Sequence, residues 1–310
     1  MDPRADDQWA AQSPFDRFFD FISPDADRFG ILLEHTAKLG LNSVAITINN
    51  NQHFFIFPGK IPLKPFAGGV FPFRGQSPVI LTAHYDRVAG SPGANDNSAA
   101  VFQLLKTALR LYRQKTGQWI IIFTDKEELK AGEGVNEQGS YSLAKKLRDW
   151  GLAKAQIFNF DACGTGDTFV LSSTAEFLLN KNKKLGFRHA RKTVTDLREK
   201  ALDTARRSRI KKILSVPTPF SDDAGFIKGG IPAQTITMLP AEEAALYTRL
   251  LKERPDFAGM IISGSSPTPA ERRLIPETWR CLNTPRDSHE RLTPEYYERI
   301  VRFAAELCRN

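Results

Sequence analysis

The stretch PVILTAHYDRVAGSPGANDNS, from Pro78 to Ser98, decides how this chain is read. Its first part, Pro78 to Ala83, is apolar and rich in strand-forming residues, the pattern of a buried strand. His84 follows at the strand's end, where open α/β sheets place their ligands. The Ser91-Pro92-Gly93 turn lets Asp96 fold back beside His84, and a helical pattern then runs from Ser98 to Leu111. A neutral imidazole and a carboxylate at such a hinge are donors that suit zinc.

The same grammar occurs twice more. QWIIIF, Gln118 to Phe123, reads as a strand, and Thr124-Asp125-Lys126-Glu127-Glu128 follows it. Adjacent residues on an extended chain point opposite ways. One glutamate can therefore hold a metal while its neighbour faces the substrate water as a general base. AQIFNFD, Ala155 to Asp161, is again a strand ending in a carboxylate. One such patch alone reads as a capping acid or a solvated turn. Three in succession, all at strand ends in strand–helix alternation, describe a site.

These residues resemble the zinc-dependent exopeptidases with paired metals: bacterial aminopeptidases, glutamate carboxypeptidases and, more distantly, the single-zinc glutaminyl cyclases. The matching stretches are AHYD, GANDNSAA, FTDKEE, NFDACG, PFSDDAGFIKGGIP and NTPRDSHERLTP, in that family's order, and they cover most of Ser13 to Asn310. The resemblance implies that Asp96 bridges two metals. It also implies that His84 and Asp161 complete one site and that Glu128 belongs to the other. Glu127 becomes the base that activates water, and Asp86 the residue that orients His84 from behind.

Two departures qualify the match. The family's last ligand is a histidine in an HTPxDT segment; here the aligned residues are Asn283-Thr284-Pro285-Arg286-Asp287-Ser288. Asn283 thus takes the ligand position, and an amide oxygen is a poorer zinc donor than imidazole. His289 lies six residues later and substitutes only if the loop before Thr293-Pro294 is rerouted. Asp223 stands where relatives commonly carry a histidine near the substrate.

Composition fits an ordinary folded α/β domain: 310 residues, 41% hydrophobic and 25% charged. The balance of 43 Lys+Arg against 35 Asp+Glu gives +8. That charge admits a nucleic-acid partner, yet no nucleic-acid module is recognisable, and a solvated basic surface is the plainer reading. Cys163, Cys281 and Cys308 exclude a full disulfide framework and read as reduced thiols. Cys163, two residues past Asp161, reads as a buried structural thiol, with an approach to the metal as the alternative. No apolar run reaches membrane-spanning length, and the acidic start, Met1 to Asp7, lacks a signal-peptide core. The expected location is the cytoplasm, with no membrane partner.

The expected fold is α/β: a three-layer sandwich with a mixed, largely parallel central sheet flanked by helices. Residues 1–12 read as a loose tail and 13–310 as a single domain, with insertions near 190–214 and 241–278. Pro14 to Leu39 carries apolar residues at helical spacing, with His35 on that stripe as a core or boundary histidine. Ser43–Thr47 and Phe54–Phe57 read as paired strands around Asn49-Asn50-Asn51, with His53 on the surface. Ala190 to Leu214 reads as a basic helix with a solvated face, the alternative being a binding face for an acidic peptide or a partner, just after a structural His189. Ala241 to Thr278 holds a helical run and the loop Ser263 to Pro269, a candidate rim or lid.

The expected function is zinc-dependent hydrolysis of short peptides by an aminopeptidase with one or two zinc ions. A glutaminyl-cyclase-like acyltransferase and a non-catalytic binding descendant are the alternatives. The implied ligands are His84, Asp96, Glu128, Asp161 and, weakened or lost, Asn283.

Overall fold

The computed structural model describes residues 13, 15–59, 73, 77–181, 187–263 and 268–309. The expected tail, 1–12, and most of the Ser263–Pro269 loop lie outside the described residues. The strands are β1 (Ser43–Ile48), β2 (Asn51–Ile56), β3 (Val79–His84), β4 (Trp119–Thr124), β5 (Gln156–Phe160), β6 (Thr168–Ser172), β7 (Ile213–Val216) and β8 (Ala233–Leu239). They form one sheet in the order β1-β2-β4-β3-β5-β8-β6-β7.

The four strands β4-β3-β5-β8 are parallel. β1 and β2 join antiparallel at one edge, and β6 runs antiparallel to β8. The hairpin between β1 and β2 turns at Asn49 and Asn50, both with positive φ, as a tight turn between twisted strands requires. Every residue of β3 and β4 is buried, because helices cover both faces of a parallel sheet.

The helices are α1 (Phe18–Ile22), α2 (Arg28–Lys38), α3 (Ala99–Arg113), α4 (Gly139–Asp149), α5 (Thr174–Lys181), α6 (Phe187–Arg207), α7 (Asp222–Gly229), α8 (Ala241–Glu253), α9 (Phe257–Ser263), α10 (Pro269–Arg272), α11 (Glu277–Cys281) and α12 (Tyr297–Leu307). On one face Leu81, Ile121 and Phe158 pack with Leu32, Phe102, Leu197 and Phe303 from α2, α3, α6 and α12. On the other, Ile80, Ile120 and Ile157 meet Leu143, Leu147 and Phe226 from α4 and α7. The alternation of neighbouring strand residues between two cores is the period-two rule, and the result is the expected three-layer α/β architecture. A third cluster sets Tyr247, Phe257 and Trp279 of α8, α9 and α11 over Val170, Val216 and Leu239.

Three local readings are corrected. His53 is buried, not on the surface. The hairpin is not a free edge, since β4 pairs with β2 on its other side, and the ring lies against Gly139 at the start of α4. The basic segment 190–214 is not one helix: α6 ends at Arg207, and Ile213 and Leu214 open β7. Its face is also not wholly solvated, because Leu197, Ala201 and Ala205 enter the core. The Pro14–Leu39 stripe divides into two helices, with Pro24 in the break. His35 is buried and tilted against Phe102 as expected, while His189 is exposed.

Candidate metal centre and cleft

The site follows from strand order. β3 lies between β4 and β5, so the chain moves from β3 to one side for β4 and to the other for β5. That reversal opens a crevice at the carboxyl ends of the strands. His84 ends β3, Glu127 and Glu128 follow β4, and Asp161 follows β5. The loop carrying Asp96 is fixed above them by its neighbours. Asn97 donates from Nδ2 to the Phe160 carbonyl at 2.8 Å and accepts from the Ala162 N–H at 3.2 Å. Asn95 Oδ1 accepts from the Gly164 N–H at 2.7 Å.

Four of the residues singled out from sequence converge. His84 Nε2 lies 2.9 Å from Asp96 Oδ1 and 3.7 Å from Asp161 Oδ1. One donor atom from each of His84, Asp96 and Glu128 falls within 4.8 Å of the others. Asp86 sits behind them. Its carboxylate is 3.4 Å from His84 Nδ1 and accepts from the N–H groups of Glu127 and Glu128 at 3.2 and 3.0 Å. One carboxylate thus faces the back of the imidazole and holds the backbone of the glutamate pair.

Asn283 reaches the same place. Its Nδ2 donates to Glu128 Oε2 at 3.0 Å from a left-handed backbone position, φ 60°, that asparagine tolerates better than most residues. His289 does not join them. Its ring stacks edge-on against Phe19, 5.1 Å between centroids, and its side chain is 43% exposed. Asp223 is buried and does not line the cleft; burial pushes its carboxyl up to about 7. Cys163 is buried, 3.2 Å from the Ile236 carbonyl.

The electrostatics are those of acids gathered without enough positive charge. Desolvation and then Asp96 push the Glu128 carboxyl up to about 9. Desolvation, reinforced by Glu128, Asp161 and Asp222 against the opposing pull of His84, holds Glu127 well above its ordinary value. Burial works against protonation of His84, but Asp161, Asp86 and Asp96 outweigh it and raise the imidazole well above its usual range. Glu128 Oε1 and Asp161 Oδ1 are buried atoms with no hydrogen-bond partner. Orphaned carboxylate oxygens beside an imidazole fit a divalent cation such as zinc, which supplies the missing charge and takes both donor types.

Two contributors escaped the sequence reading. Asp287 accepts from the N–H groups of Asn95 and Asp96 at 2.9 and 3.0 Å, fixing the Asp96 backbone from the NTPRD segment. Arg28 is buried and donates to the carbonyls of Tyr85 at 3.1 Å and Pro92 at 2.7 Å and to Ser98 Oγ at 3.0 Å. It ties the His84 loop to the Asp96 loop. The available signal was position: Arg28 shares a buried stripe with Leu32 and His35, an odd place for an unpaired cation.

The centre opens into a cleft of about 670 Å³. Asp96, Glu127, Glu128 and Asp161 line it, and Phe220, Ile261, Trp279 and Leu282 add apolar wall. A profile of Peptidase family M28 matches residues 70–308. The chain belongs to peptidase family M28. No curated protein sequence matches it. Among solved structures, this M28 chain resembles a Zn-dependent exopeptidase from Parabacteroides distasonis, with TM-score 0.61, 14% identity, and 99% and 98% of the two chains covered. A glutaminyl cyclase from Bacteroides thetaiotaomicron bound to N-acetylhistamine gives 0.61, 14%, and 98% of each. The zinc aminopeptidase BSAP from Bacillus subtilis gives 0.50 and 19% over 83% of this chain, which spans about half (49%) of that protein. These likenesses carry the M28 fold. Among the described residues, no helix is long and apolar enough to cross a membrane.

Proposed function

We propose that the chain is a zinc-dependent exopeptidase, an aminopeptidase acting on short peptides. The observation that carries this reading is the pair of orphaned buried oxygens, Glu128 Oε1 and Asp161 Oδ1, beside His84 and Asp96 at a cleft. The similar zinc aminopeptidase and Zn-dependent exopeptidase support it. His84, Asp96 and Asp161 would hold one ion, and Glu128 would serve a second. Zinc, when bound, supplies Lewis acidity toward a carbonyl and acidifies a water. Glu127 takes a proton from a water in the cleft and returns it to the leaving amine. Asp86 orients both His84 and the glutamate pair. The apolar wall receives the peptide's side chains. Three free, buried cysteines support a reducing, cytoplasmic setting.

We infer further that one zinc is held firmly. An amide that donates to Glu128 is a weak substitute for the imidazole the second position would need. The test of the reaction is hydrolysis of aminoacyl anilides and dipeptides by zinc-loaded protein, run beside ammonia release from peptides with N-terminal glutamine. Peptide-bond cleavage supports the peptidase. Ammonia release without cleavage would overturn it in favour of the cyclase.

A further inference from the structure

The basic residues of α6 are not spread evenly. The end of α6 meets α3 and α12 around a recess of about 280 Å³ walled by Arg110, Arg207, Arg209, Arg302 and Arg309. Glu306 is the single acid in the wall, which leaves it a net charge of +4. Glu306 already serves Arg309 at 2.9 Å and Arg207 at 3.6 Å. Arg110 pairs with Glu298 at 2.6 Å, and counting that acid still leaves an excess of +3. Arg209 and Arg302 are exposed and have no acidic partner among the described residues.

Helix dipoles explain part of this, since cations are favoured at helix C-termini. Arg110 and Arg207 occupy such last turns. Arg302 does not: the last turn of α12 holds no basic residue. Its place beside four other guanidinium groups is accounted for neither by a dipole nor by an ion pair. Gathered like charges raise the local potential and draw an anion, and the planar fork of arginine matches phosphate oxygens in pairs.

The recess is remote from the metal centre. Arg309 also lines a neighbouring hollow with Val79 and Gln118, at the start of β3 and just before β4. His84 lies at the other end of β3, about 17 Å away at the usual strand rise. We propose that this recess binds a small molecule presenting two adjacent phosphate groups. Its volume falls below that of most drug-sized pockets and suits a diphosphate ester or a phosphorylated headgroup, which share this chemistry.

The test titrates inorganic pyrophosphate into the whole chain by calorimetry at fixed ionic strength. Wild type is compared with Arg302→Gln, Arg209→Gln and the double variant, all with exposed side chains. One saturable site is expected, weakened on the order of tenfold by each substitution and more by both. Circular dichroism and peptide hydrolysis should stay unchanged, because both side chains are exposed and neither lines the cleft. No saturable heat, or equal affinity in the double variant, overturns the proposal. A parallel flotation with vesicles bearing phosphorylated inositol lipid separates the sources. Flotation that pyrophosphate competes away supports a lipid headgroup, and pyrophosphate binding without flotation supports a soluble ester.

Discussion

Glu127 and Glu128 are neighbours with opposite duties under the proposed mechanism, and substitution separates them. Glu127→Gln keeps the side chain's size and its place beside Gln138 Nε2, 3.4 Å from Glu127 Oε1, but cannot accept a proton. The expected result is unchanged zinc content with kcat lowered on the order of a hundredfold to ten-thousandfold. Near-wild-type turnover would falsify its role as base. Asn283 is the complementary case. Asn283→His puts an imidazole next to Glu128 and should raise the zinc stoichiometry measured by mass spectrometry from about one toward two. If wild type already binds two ions tightly, Asn283 is an adequate ligand and the one-zinc inference fails. His289→Ala is the control. Its ring packs on Phe19, so the metal content should not move. At this scale the meeting of His84, Asp96, Glu128 and Asp161 was legible in the sequence, because each ends a strand or follows a strand or a turn that carries it to the same edge of the sheet. The sequence assigned no role to Arg28 or Asp287, whose partners are mostly backbone groups that only the fold brings near them.

Among elements, β2 illustrates both what a pattern gives and what it hides. The Asn-Asn turn predicts the hairpin, and the hairpin is there. The burial of His53 depends on β4 pairing with β2 more than sixty residues later in the chain, which no local pattern carries. The short strands β6 and β7 were missed because neither ends in a metal-donor side chain of the kind that marks the ends of β3, β4 and β5. The burial of His53 has a measurable consequence. Desolvation lowers its pKa to about 4, against about 6.5 in an unfolded chain. Above pH 6.5 both states are neutral and the contribution to stability is complete. As pH falls through that range only the unfolded state takes the proton, and stability drops. Urea denaturation at pH 7 and pH 5 should therefore show His53→Gln losing about 2 kcal/mol less than wild type between the two conditions. Equal losses in the two proteins would mean that His53 charges as easily folded as unfolded.

For the whole molecule, the order of strands brings the candidate ligands together, and the order of motifs in the sequence pointed to that meeting. Three carboxylate-bearing strand ends could meet only if their strands were adjacent and parallel, as β4, β3 and β5 are. That arrangement places Asp86, Asp96, Glu127, Glu128 and Asp161 around one imidazole. A fold that concentrates so much negative charge is stabilised by whatever cation it binds, because the ion recognises the folded chain and not the unfolded one. At a free zinc concentration of 100 times Kd the gain is about 2.7 kcal/mol. For a domain of this size that corresponds to a rise in Tm of roughly 4 °C. Chelator-stripped protein should therefore melt lower than protein scanned with zinc, and magnesium should not replace zinc, since it has little affinity for imidazole. His84→Ala removes the imidazole and should remove the shift. It should also lower the midpoint of the stripped protein, because Asp96 and Asp161 lose the imidazole that offsets their charge. The discriminating quantity is therefore the zinc shift itself, read as the difference between the loaded and stripped forms of the same variant. A zinc shift that survives the substitution would place the cation elsewhere, and a shift that disappears assigns it to the cluster around His84.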